Sequence, residues 1–120
     1  MNPLEAANII AEMIEGAGLP LTPYHKQFLT LYRAGERGQS DSVYIEFDNF
    51  LFGGSASIRI PNIGNERFSK NIKIVEISWS STNRTVSNSV AALELYRKVV
   101  ALAAQIQAFF ETTKIEEKAN

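Results

Sequence analysis

The sequence predicts an α+β domain: an N-terminal helix or helix pair, an antiparallel sheet of about three to four strands, and a long C-terminal helix packed on the sheet. Three observations predict it. Apolar residues recur at three-four spacing near both ends, short runs of alternating apolar and polar residues fall within 43–79, and polar stretches bearing glycine or proline separate the segments. The 120 residues, 45% of them hydrophobic, are enough for one core, so a single domain over 1–120 is expected.

The first helix is placed within 1–18. Asn2 is a good cap, Pro3 suits the first helical position, and Glu5 stands where a capping box wants a carboxylate. Leu4, Ala7, Ile10 and Ile14 fall on one face, and Gly16 and Gly18 offer the left-handed residue that ends a helix. Residues 22–35 are ambiguous. Thr22-Pro23 reads as a cap and first turn, with Tyr24, Phe28, Leu31 and Tyr32 on one helical face, and helix has a slight edge, yet Gln27 to Tyr32 is also favourable as a strand.

The sheet comes next. Val43, Ile45 and Phe47 alternate with Tyr44, Glu46 and Asp48, and Ala56, Ile58 and Ile60 alternate with Ser55, Ser57 and Arg59, which describes one dry and one wet face. Gly53-Gly54 is a turn signal, and Pro61 closes the second strand. A last strand is expected from Ile72 to Trp79, its apolar side switching partway as at a bulge. A hydroxyl-rich loop from Ser80 to Ser89 leads into a helix over 87–112 with Ser87 as its cap, and the tail 113–120 is expected to fray.

That last helix carries two apolar seams. Ala92, Leu95, Val99, Leu102, Ile106 and Phe109 form one; Leu93, Tyr96, Val100, Ala103 and Phe110 form the other, interrupted at Gln107. One seam suffices to cover a sheet. The second needs either the N-terminal helices or another copy of the chain; the leading expectation is another copy, giving a homo-oligomer through Leu93, Tyr96 and Val100.

Composition excludes several functions. There are 12 basic and 13 acidic residues, without the basic excess of a general nucleic-acid binder, so nucleic acid is not an expected partner. There is no cysteine, which removes disulfides, thiolate nucleophiles and thiolate metal sites; no metal and no cofactor are expected. The run Val99 to Phe110 is too short and too interrupted to span a bilayer, and Met1 to Glu5 does not read as a leader, so a cytoplasmic protein is expected.

Four constellations bear on chemistry. His25, the single histidine, has no neighbour in sequence that marks it as a base and reads as an exposed loop or helix-start residue. Glu46 and Asp48 share a strand face ~7 Å apart, with Glu76 as a third carboxylate, and read as a solvated face or, at the outside, a carboxylate hydrolase. The loop from Trp79 to Thr85 is the best ligand candidate. It joins a strand end to a helix start, where free N–H groups and the helix dipole favour anions; Asn83, Arg84 and Arg97 supply donors and Trp79 a stacking face. Arg59, Arg67, Lys70 and Lys73 add positive charge nearby.

The stretch from Glu76-Ile77-Ser78-Trp79-Ser80-Ser81-Thr82 into Ala91-Ala92-Leu93-Glu94-Leu95-Tyr96-Arg97 resembles the C-terminal third of small phage-encoded accessory proteins, among them the Thoeris anti-defence sponges. That resemblance implies oligomerisation and sequestration of a cyclic ADP-ribose signal without cleavage. The leading expectation is thus a non-catalytic homo-oligomer that binds a small anionic, nucleotide-like ligand. The alternative is an interaction module that inhibits a host complex through the aromatic strand Phe47, Phe50 and Phe52. Nucleic-acid binding by a helix pair and hairpin ranks third, and an enzyme built on Glu46 and Asp48 fourth.

Overall fold

Asn2 adopts extended backbone, and its side chain accepts from the Leu4 N–H at 2.7 Å, so helix α1 (Pro3–Glu15) starts where cap and proline place it. In this computed structural model, which describes residues 1–35, 42–49, 54–61, 77–81 and 90–115, five further elements follow. They are α2 (Pro23–Arg33), β1 (Ser42–Asn49), β2 (Gly54–Pro61), β3 (Ile77–Ser81) and α3 (Val90–Thr112). Gly16 caps α1 in right-handed conformation; the left-handed residue is Gly18, two positions on, at φ 73°. Its carbonyl accepts from Lys98 Nζ at 3.2 Å, which ties the α1–α2 connection to α3.

The ambiguous segment is a helix. Thr22 Oγ1 accepts from the His25 N–H at 3.2 Å, and His25 Nδ1 accepts in return from the Thr22 N–H at 3.1 Å. This is a capping box with histidine where glutamate or glutamine is usual, and it answers two of the orphan donors that oppose helix initiation. The buried face is turned from the expected one: His25, Phe28, Leu29 and Tyr32 go in, Leu31 is half-buried, and Tyr24 is out. Burial raises the ionisation of the Tyr32 phenol far above its ordinary range, so the ring stays neutral.

The sheet has the order β1-β2-β3 and is antiparallel throughout, with Ile45 opposite Ile58, Phe47 opposite Ala56, and Ala56 opposite Trp79. Ile45, Phe47, Ala56, Ile58 and Ile60 are all buried, in one cluster with Ile10 and Ile14 of α1, Phe28 and Leu29 of α2, and Leu95, Val99, Leu102 and Ile106 of α3. The described helices therefore share one face of the sheet. Each fully buried side chain of this size contributes roughly 1.5–3 kcal/mol. The other face presents exposed Tyr44 and Glu46 beside Arg59. Expected features at Gly53, 62–76 and 82–89, including the bulge and the Ser87 cap, lie outside the described residues.

Candidate functional site

Three places combine polar or apolar groups in ways that a core alone does not require. The first is the N-terminus of α2. Because Nδ1 of His25 accepts a backbone N–H, the ring proton sits on Nε2, which donates to the Glu46 carbonyl of β1 at 2.7 Å. The ring also lies 5.0 Å from that of Phe47. His25 is thus buried, not exposed, and both nitrogens are committed. It closes part of an outer edge of β1, a row of groups that would otherwise be open to another strand. No nitrogen remains for proton transfer to a substrate.

The second is the junction of α1 and α2. Arg33 Nη1 and Nη2 donate to the two Glu15 oxygens, and Nε donates to Asn8 Oδ1 at 3.0 Å. The Arg33 hydrogen bond, and to a lesser degree its charge, holds the Glu15 carboxyl below its ordinary range. The fork geometry fixes the helices side by side and faces solvent, so it reads as a clamp.

The third is the outward side of α3. The first predicted seam is sealed: Leu95, Val99, Leu102 and Ile106 are buried and Phe109 packs against the core. The second seam divides. Ala103 is buried and Phe110 partly so, whereas Leu93, Tyr96 and Val100 keep 36–38% of their surface. Ala101, Ala104 and Ala108 continue the exposed, uncharged strip toward the C-terminus, with Arg97 and Glu111 at its ends.

The predicted ligand residues do not assemble within the described parts. Trp79 lies inside β3, which continues to Ser81; it is a strand residue in register with Ala56 and not the first residue of a loop. Asn83 and Arg84 lie outside the described residues, as do Arg67, Lys70, Lys73 and Glu76. Arg97 is exposed on α3 beside the Leu93–Val100 strip. Glu46 is exposed, and among the described residues no three histidine or acidic side chains converge as a metal site. Phe47 is buried at 1%, so it cannot belong to an exposed aromatic face; Phe50 and Phe52 are outside the described residues. No described helix is long and apolar enough to cross a membrane.

Sequence reasoning missed His25, whose partner is 21 positions away; the available signal was a histidine three residues after a threonine cap. Comparison with known proteins returned no matching family model, no similar curated protein and no similar solved structure.

Proposed function

We propose that this chain is a non-catalytic, homo-oligomeric binding protein that associates through α3. The observation that carries the reading is the row Leu93, Tyr96 and Val100, three large apolar side chains that keep 36–38% of their surface exposed on a helix whose opposite side is packed in the core. The titratable side chains that are described are committed elsewhere or lie open to solvent, which favours binding over catalysis. The oligomer would present the chain between β3 and α3, with Asn83 and Arg84, to a small anionic, nucleotide-like ligand, alongside Arg97. Sequestration as the mode of action, and phage counter-defence as the setting, rest on the resemblance of the β3-to-α3 segment.

The test has two arms. Leu93→Glu combined with Val100→Glu is expected to leave the circular dichroism spectrum unchanged and lower the mass in solution. A wild-type protein that is monomeric at every concentration ends the self-association reading. Thermal stability is expected to rise with a phosphate-bearing nucleotide from a panel of such metabolites; no shift with any of them removes the ligand half.

A further inference from the structure

We infer that α3 pairs antiparallel with α3 of a second copy, with Ala104 on the two-fold axis; the inference rests on the self-association reading and adds the register. A two-fold contact must be self-complementary: whatever meets a residue on one side must be met by it on the other. For antiparallel helices, that condition becomes symmetry of the exposed face about one residue. The exposed face of α3 has it.

Arg97 and Glu111 stand seven residues before and after Ala104, which is two turns each way. In the antiparallel arrangement each Arg97 meets the partner's carboxylate, making two ion pairs ~21 Å from Arg97 to Glu111 along each helix. A parallel pair would instead set arginine against arginine and glutamate against glutamate. Glu111 already accepts from Gln107 Nε2 at 3.0 Å, which orients one oxygen and leaves the carboxylate capacity for more donors.

Arg97, Ala101, Ala104, Ala108 and Glu111 are all exposed and are spaced four-three-four-three, the seam of a two-helix supercoil. Alanine at the centre lets the two backbones approach to the short end of the usual 8–10 Å range.

The experiment measures dimer dissociation by sedimentation. Arg97→Glu alone, and Glu111→Arg alone, should each weaken the dimer about ten- to a hundredfold, because each sets like charges face to face twice. The double exchange, Arg97→Glu with Glu111→Arg, should restore it. The chain has no cysteine, so Ala104→Cys introduces a single thiol. On the axis it should oxidise to a covalent dimer, while Glu94→Cys, on the far polar edge, should not. A wild-type dimer that ignores both single exchanges, or whose Ala104→Cys variant stays uncrosslinked, overturns the register while self-association stands. A monomeric wild type overturns both.

Discussion

α2 and α3 are both amphipathic helices on one core, yet they meet the rest of the protein on different terms. α2 has 11 residues, a smaller share of them apolar than in α3, and it buries Phe28, Leu29 and Tyr32 almost completely while spending its single histidine on a sheet edge. α3 has 23 residues and more apolar surface than the sheet and α1 cover, so Leu93, Tyr96 and Val100 stay wet. Burial is decided by what lies opposite a helix, not by how apolar the helix is.

That contrast can be broken or sharpened by substitution. The largest effect is expected inside α3's sealed side: Leu102→Ala should cost about 2–5 kcal/mol in urea unfolding, since neighbouring residues of a packed core only partly fill the cavity. His25→Ala should cost about 1–3 kcal/mol, because it strands the Thr22 N–H and the Glu46 carbonyl together and opens the α2 cap. Faster amide exchange at Thr22 would distinguish this from general loosening. Glu15→Gln is expected to cost less, about 0.2–1 kcal/mol, and less still in high salt, as for exposed ion pairs. Its pH dependence has a fixed sign. Folding lowers the Glu15 ionisation range, so the stabilisation is present above the ordinary glutamate range and is lost as pH falls through the lowered one. Smallest of all, Val100→Glu should change the stability of the folded monomer by less than about 0.5 kcal/mol. If it unfolds the protein, α3's outer side is core after all and the contrast with α2 fails.

Much of this architecture was legible in the sequence, and the legible parts are those with local causes. Asn2-Pro3 and Thr22-Pro23 start helices because a cap answers donors within one turn. Ile45, Phe47, Ala56 and Ile58 reveal a dry sheet face because alternation needs no partner to be read. The orientation of α2 was not legible: Tyr24 and Leu31 have the spacing of a core face, but the anchor that turns the helix is a carbonyl on β1. The division of α3's second seam was equally hidden, since Ala103 and Val100 look alike until a neighbour covers one of them. Of the proposed ligand residues, Trp79 shows why loop limits are hard to read. Cross-strand pairing with β2 carries β3 two residues beyond the point where the apolar pattern stops.

The commitment of both His25 nitrogens has a spectroscopic consequence. The chain contains one histidine, and its two ring nitrogens are held in opposite states, one bearing hydrogen and one accepting it. In a nitrogen-resolved magnetic resonance spectrum they should give a widely split, unoverlapped pair of resonances. A ring freed from β1 would exchange tautomers and draw that pair together. The protein therefore carries an intrinsic reporter, needing no label at a chosen site, for whether helix and strand remain joined when other surfaces are occupied.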